Sequence, residues 1–570
     1  MEYRKSPRPA LDPACLQAYR RQLPRTAVDL HLDGNEGLAP DARLLDELAP
    51  LGREVMGRYP DSSALEERLA AGLGIEPGRV LVTGGADDAL DRVCRAFCCA
   101  DRELVQTVPT FEMIARYARL TGAAVIEVPW PGGAFPLDAM LSRLGARTSV
   151  IAVVSPNNPT GAVARREDLI RLSRSAPGAV LLVDLAYTEF ADDDPTPALL
   201  ELPNVVVIRT LSKAWGLAGL RVGYALGTPS MIGWLRAAGH PYAVARPSLA
   251  LAEARLKSGA AQVTAFIDRV RHERRRLSDT LLELGARPMP SQANFVLCRF
   301  ADASWVRDGL ASLGIAVRAF SGRAGLGDYL RITCPGDEEA FDRLEAALRC
   351  VLAPQGMLLD MDGVLADVSD SYRRAIIETA RHYGVRVAPA EVEAAKAEPG
   401  SNDDWTVTRR MLARRGVSLG LEEVRDRFEG LYQGTPAEPG FRRLEKLIPS
   451  AGLIARLASR LPLAIVTGRP RADALRFMRD SGLEDFVTVT VCREDAAAKP
   501  DPAPLRLALE RLGIERAWMI GDTPDDITSA RRAGVVALGI GAPPAGAADA
   551  LFAAGAARVL TNMEELEELL

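Results

Sequence analysis

From about residue 78 the chain alternates short apolar runs with amphipathic stretches of helix length: RVLVTGG, RELVQTVPT, AAVIEVP, SVIAVVSP, AVLLVDLAY and NVVVIRTLSK. Strands separated by helix-sized intervals have room to cross over and pair in parallel, with helices on the sheet faces. These runs therefore predict an α/β domain on a largely parallel sheet. A long helical stretch, LAEARLKSGAAQVTAFIDRVRHERRRLSDTLLELG, and the short strands NFVLCRF, IAVRAF and YLRITC follow, which predicts a smaller α+β unit.

At CVLAPQG the pattern breaks and then starts again. The joint is too short for a free tether, so the next domain is expected to dock against what precedes it. A second series of strands, GMLLDMD, LPLAIVTG, VTVTVC, RAWMIGD and VVALGI, is interrupted by a helix-rich insertion. The expected organisation is a first enzyme over 1–352, with a large part at about 30–245 and a small part at about 250–352, then a second α/β domain over 356–570 with a helical insertion at about 370–446. No internal repeat or long low-complexity segment occurs, although PPAGAADALFAAGAA is mildly biased.

A length of 570 residues suits more than one core, and 48% hydrophobic with 25% charged residues is the ordinary globular range. The formal charge of −5, with both signs interleaved, leaves no footprint for nucleic acid or an anionic membrane. Small molecules are the expected partners. The opening MEYRKSPRPALDP lacks the apolar core of a signal peptide and no run is long enough to span a bilayer, so a cytoplasmic location is the expectation. Cys94, Cys98 and Cys99 fall in a stretch with helical spacing and form no zinc-type pair, and the four histidines have no metal-ligand spacing. Any metal chemistry must use carboxylates.

SPNNPTG, VDLAY and TLSKAWGLAGLRVGY each follow or end a strand, the place where open α/β sheets collect ligands. A lysine, an arginine and an acid on neighbouring strands suit a phosphorylated cofactor held as a Schiff base. The set resembles the fold-type I pyridoxal-phosphate aminotransferases, and within them the histidinol-phosphate aminotransferase family. That resemblance implies that Lys213 bonds the cofactor and carries the substrate proton, and that Asp184 pairs with the pyridine nitrogen. It implies that Asn158 and Tyr187 bond the ring oxygen and Phe111 stacks on the ring, while Ala86, Asp87, Ser212 and Arg221 hold the phosphate. Tyr59 would reach the phosphate of a neighbouring subunit, so a homodimer is implied. Asn294, Arg318 and Arg331 would bind substrate, with Arg331 on the α-carboxylate of glutamate and both arginines meeting a substrate phosphate. Taken singly, Asp184 also reads as a capping residue, Phe111 as a core aromatic and the arginines as salt-bridge partners. The chain departs from the family at LDGNEGLAP, and Tyr19 only loosely matches the family's N-terminal substrate tyrosine.

Asp360 and Asp362 in LLDMDG lie two apart at a strand end, so one carboxylate can attack while the other handles protons. Downstream come Thr467 in AIVTGR, Lys499 in AAAKPDP, and Asp522 and Asp526 in WMIGDTPDD. This order resembles the haloacid-dehalogenase superfamily of phosphatases, and the insertion resembles the helical cap of the phosphoglycolate-phosphatase-like subgroup. The resemblance implies Asp360 as nucleophile, Asp362 as acid then base, and Thr467 and Lys499 on the phosphoryl oxygens. It also implies Mg²⁺ on Asp360, the Asp362 carbonyl and Asp522, with Asp526 assisting. In AEPGSNDDWTVTRRML, the residues Ser401, Asn402, Asp403 and Asp404 are either a selectivity loop over 398–405 or a helix N-cap cluster before Trp405.

Two catalysts in one chain predict a bifunctional enzyme: transamination of a phosphorylated ketone with glutamate as amino donor, then removal of the phosphate. The concrete expectation is imidazole-acetol phosphate to histidinol phosphate to histidinol, a step of histidine biosynthesis. Another phosphorylated metabolite of specialised biosynthesis, or a second domain that only regulates the first, are the alternatives.

Overall fold

The computed structural model describes residues 24–396, 398, 403–435, 438–541 and 547–570. The chain divides into two compact units, one containing 32–301 and 318–342, the other 24–31, 302–317 and 343–570.

In the first unit a seven-stranded sheet runs in the order Val80–Thr83, Gly223–Leu226, Val205–Thr210, Val180–Asp184, Thr148–Val154, Glu103–Val108, Ala124–Pro129. All six expected strands are present, and the pairings from Val205–Thr210 outward are parallel. The strand Gly223–Leu226 was not expected; it pairs antiparallel with both neighbours. It hid behind the glycines and arginine of GLAGLRVGY, which carry no apolar run. Successive side chains of the central strands enter opposite cores: Ile151, Val153, Leu181, Val183 and Val207 pack in one. Val150, Ala152, Val154, Leu182, Val206 and Ile208 pack in the other. The period of two explains why these strands have no polar face. The helices Arg246–Ser258 and Ala260–Glu283 account for the long helical stretch, and Phe295–Arg299 pairs antiparallel with Tyr329–Thr333, with Arg318 opposite Arg331.

The second unit is built on a six-stranded parallel sheet in the order Val489–Val491, Leu463–Val466, Gly356–Leu359, Ala517–Gly521, Val536–Ile540, Arg558–Leu560. The last strand was not expected, because it lies beyond the biased alanine-rich stretch. The insertion forms the helices Tyr372–His382, Pro389–Lys396, Asp404–Arg414 and Leu421–Gln433, held by Ala380, Val385, Leu412 and Val424. Its two ends meet in a short antiparallel stem, Ala366–Asp367 against Lys446–Leu447. The chain around Pro354 is packed within this unit. The Trp518 indole N–H donates to the Cys350 carbonyl at 3.0 Å, and the Trp305 ring on helix Ala303–Ser312 meets Trp518 edge-on at 4.9 Å. The Gln355 side-chain oxygen accepts from the Glu515 and Arg516 backbone at 3.0 and 3.2 Å.

Among the described residues no helix is long and apolar enough to cross a membrane. Cys94 and Cys98 are buried at the end of helix Gly85–Phe97 and Cys99 is exposed; none of the three is in a disulfide.

Candidate active sites

In the first unit, parallel strands deliver their C-terminal ends to one cavity of about 200 Å³. It is lined by Ala86, Asp87, Phe111, Asn158, Asp184, Tyr187, Ser212, Lys213, Arg221, Arg318 and Arg331, which brings together most of the residues singled out in the sequence. Asp184 ends its strand 4% exposed and accepts from the Ala186 backbone N–H at 3.0 Å. Burial pushes its carboxyl up to about 7; the Ala186 N–H opposes that, Asp87 adds to it, and Lys213 has the smallest influence. The Lys213 ammonium donates to the Gly34 carbonyl at 3.2 Å and lies 5.7 Å from the Tyr187 ring centre.

Arg221 donates to Asp87 at 3.1 Å across the first turn of helix Gly85–Phe97. Its φ of 53° is left-handed, unusual for a residue with a side chain, and a Cβ on Gly85 would lie 2.6 Å from its Nη2. On Gly223 a Cβ would meet the Gly85 backbone at 2.5 Å. The glycines thus clear a cradle at a helix N-terminus, where backbone N–H groups favour an anion.

Three participants escaped the sequence reading. Asn35 is 1% exposed with φ 54°, donates to the Tyr187 hydroxyl at 3.0 Å, accepts from Thr333 at 3.0 Å, and receives Asn294 on its carbonyl at 3.2 Å. Asn tolerates left-handed backbone, so the GNEG sequence held the signal. Asn157 is fully buried and ties the turn to Pro109 and Thr160 at 2.9 Å each. Arg323 lines the cavity paired with Glu112, on a loop with no motif. Arg331 donates to Asn158 at 2.6 Å and to the Asp33 carbonyl at 2.8 Å. Tyr59 does not line the cavity; it is 78% exposed and stacks on Tyr242 at 4.5 Å. Tyr19 lies outside the described residues.

In the second unit Asp360 follows Gly356–Leu359, 6% exposed. Lys499, also 6% exposed, donates to Asp360 at 2.7 Å and to the Val466 carbonyl at 3.0 Å, and lies 2.5 Å from Asp526. Burial raises the Asp360 carboxyl well above the usual range, Lys499 opposes this, and the neighbouring carboxylates add to it. Asp522 is pushed up to about 7 by burial and then by Asp526. Carboxylate oxygens of Asp360, Asp522 and Asp526 lie within 4.8 Å of one another. That excess of negative charge over one lysine fits an oxygen-ligated divalent cation. A side chain at position 363 would crowd this cluster, since a Cβ on Gly363 would sit 2.0 Å from Asp522. Thr467 follows Leu463–Val466 and accepts from the Arg469 backbone at 3.1 Å.

A larger cavity of about 650 Å³ opens from Gly363 and Asp522 and is lined on the helical insertion by Arg373, Glu393 and Lys396. In the candidate selectivity segment, Asp403 caps helix Asp404–Arg414, accepting from Trp405 N at 3.1 Å, and Asp404 pairs with Lys396 at 2.9 Å. Ser401 and Asn402 lie outside the described residues.

The family profile of aminotransferase class I and II matches residues 40–348, and that of haloacid dehalogenase-like hydrolase matches 354–534. A histidinol-phosphate aminotransferase from Granulibacter bethesdensis is 33% identical over 346 residues, 58% of this chain and 92% of that one. An imidazoleglycerol-phosphate dehydratase from Phytophthora nicotianae is 43% identical over 235 residues, 38% of this chain; the chain spans 52% of that relative's length. Among solved structures, the histidinol-phosphate aminotransferase of Sinorhizobium meliloti in complex with pyridoxal-5'-phosphate matches with a TM-score of 0.53 at 26% identity, covering 57% of this chain and 91% of that one.

Proposed function

The chain belongs to the aminotransferase class I and II family and continues into a haloacid dehalogenase-like hydrolase, and from that premise we propose that it transaminates a phosphorylated ketone and then hydrolyses the phosphate of the amino product. The concrete reading is imidazole-acetol phosphate and glutamate to histidinol phosphate, then histidinol, in a homodimer. The observation that carries it is that one chain holds both the strand-end set around Lys213 and the Asp360, Lys499, Asp522 and Asp526 cluster. The names of two relatives support the substrate, since one concerns histidinol phosphate and the other imidazoleglycerol phosphate. Dehydration of a glycerol-type diol yields a ketone, so the two belong to one chemical series.

Pyridoxal phosphate, when bound, supplies an electron sink for the substrate carbon. Buried Asp184 suits a protonated ring nitrogen, a partner that would repay its desolvation. Tyr187, oriented by Asn35 and Asn158, is a donor for the ring oxygen. The Ala86 and Asp87 turn, with Ser212 and Arg221, suits the phosphate. Lys213, its ammonium on the Gly34 carbonyl, would be the base that takes the proton from the substrate carbon. Arg331 orients a carboxylate and, with Arg318 on the facing strand, offers paired donors to a substrate phosphate.

In the hydrolase half Asp360 attacks phosphorus while Asp362 gives a proton to the leaving oxygen; Asp362 then draws a proton from water as it attacks the phosphoryl group on Asp360. Lys499 offsets charge on the nucleophile, and Thr467 bonds the phosphoryl oxygens. Asp360, the Asp362 carbonyl, Asp522 and Asp526 would hold Mg²⁺, which neutralises the phosphate charge.

The test is one reaction with purified protein, pyridoxal phosphate, Mg²⁺, glutamate and imidazole-acetol phosphate, following 2-oxoglutarate and inorganic phosphate separately. The reading expects 2-oxoglutarate first and phosphate after it. Phosphate release without glutamate, or 2-oxoglutarate never followed by phosphate, refutes the sequence of reactions.

A further inference from the structure

One buried charge beside the hydrolase site, the arginine that ends AIVTGR, has no role in the scheme above. Arg469, 2% exposed, donates from Nε to Asp362 Oδ1 at 2.7 Å, with Nη2 2.6 Å from the same oxygen. Its Nη1 donates to Glu445 Oε2 at 2.9 Å. The Tyr372 and Phe477 rings lie 4.8 and 5.3 Å from the guanidinium carbon. Glu445 Oε1 in turn accepts from the Ser371 and Tyr432 hydroxyls, each at 3.0 Å. Ser371 precedes the first helix of the insertion, Tyr432 lies in its last helix, and Glu445 adjoins the returning stem strand Lys446–Leu447.

A buried guanidinium is costly unless its donors are paired, and its rigid fork fixes the direction of what it holds. Here the fork joins the Asp362 side chain to both ends of the helical insertion. We propose that Arg469 is a positioning residue for phosphoryl transfer: it orients the Asp362 carboxyl toward the leaving group and, through Glu445, ties that orientation to the stem of the insertion. The inference rests on the phosphatase reading. In the step concerned, an Asp360 oxygen bonds to phosphorus, the bond from phosphorus to the ester oxygen breaks, and the Asp362 proton passes to that oxygen, so the alcohol departs neutral.

Two esters of similar shape isolate this step in the full-length protein with Mg²⁺. Phenol is about as basic as a tyrosine side chain, with pKa ~10, and its departure needs the proton. The far less basic 4-nitrophenol leaves without it. The constant kcat/KM covers events only up to alcohol release, so the later attack of water does not enter. In Arg469→Lys, and in Arg469→Met with Glu445→Gln, which removes both halves of the buried pair, kcat/KM for phenyl phosphate is expected to fall by about 100-fold. For 4-nitrophenyl phosphate the fall is expected to stay under about 10-fold, since acid catalysis contributes little there. Equal losses on both esters, or no loss, overturn the positioning role and leave Arg469 a packing residue. If the wild type turns over histidinol phosphate but neither aryl ester, a fall in kcat at constant KM supports the role and a rise in KM alone overturns it. A wild type that releases phosphate from none of the three removes the phosphatase reading, and the inference with it.

Discussion

Asp184 ends one strand of the first unit and Lys213 follows its neighbour, and Asp360 and Lys499 meet beside a central strand of the second, yet the lysines are used in opposite ways. Lys213 rests on a neutral carbonyl and has the smallest of the influences on Asp184. Lys499 sits between Asp360 and Asp526, and those carboxylates hold its ammonium above the usual lysine range against the opposing effect of burial. A lysine committed to two carboxylates is a fixed charge and a poor nucleophile; one held by a carbonyl stays available to react. Likewise Asp184 is buried awaiting a cation, whereas Asp360 already has one.

The sharpest break of this comparison is a crossed pair of substitutions. Lys213→Ala should lower 2-oxoglutarate formation by on the order of 10⁴-fold or more and spare hydrolysis of histidinol phosphate; Asp360→Asn should do the reverse. Loss of both activities from either change would mean that the two sites are not independent chemical centres.

Asp184 comes next. Its folded pKa, about 7, exceeds the ordinary 3.8, so its contribution to stability is full below about pH 4 and is lost as pH rises through 7. Cofactor-free Asp184→Asn should therefore gain on the parent above pH 7, by on the order of 4 kcal/mol, while retaining pyridoxal phosphate poorly. Urea unfolding at pH 5 and pH 8 reads this, and a parent-to-variant gap that fails to widen at pH 8 contradicts it.

For Lys499→Met the opposite sign is expected: a loss of about 3 kcal/mol in unfolding free energy, near the low end for a broken buried pair because burial already favours the protonated Asp360 carboxyl. A variant as stable as the parent would show that the lysine offsets little charge. The smallest effect belongs to the helical insertion, where Asp403→Ala removes an N-cap worth about 1 kcal/mol. It should raise amide exchange in Asp404–Arg414 and leave transamination unchanged; an altered 2-oxoglutarate rate would contradict that.

Residues whose chemistry follows from local spacing were legible beforehand. Asp184, Asp360 and Asp522 each stand where an apolar strand stops at a polar residue, and Lys213 lies on the turn that follows Val205–Thr210. The antiparallel Gly223–Leu226 was not, because the strand is short and the glycine-rich stretch that leads into it hides its start. Asn35 and Asn157 were missed for another reason: their hydrogen bonds to Tyr187, Thr333 and Pro109 join segments far apart in sequence, and only the glycines around Asn35 hinted at its backbone. Tyr59 was singled out by its motif, and its exposed stacking on Tyr242 lies outside the cavity.

By itself the sequence determined one parallel and one largely parallel sheet and which side chains stand at their carboxyl edges, since strand length and turn residues are local properties of the chain. Tertiary structure alone decided that Arg469 meets Asp362 and Glu445, that Asn35 meets Tyr187, and that Trp305 packs on Trp518. Those contacts join segments far apart in sequence, and they exist only where burial makes an unpaired polar group or an exposed ring too costly to leave alone.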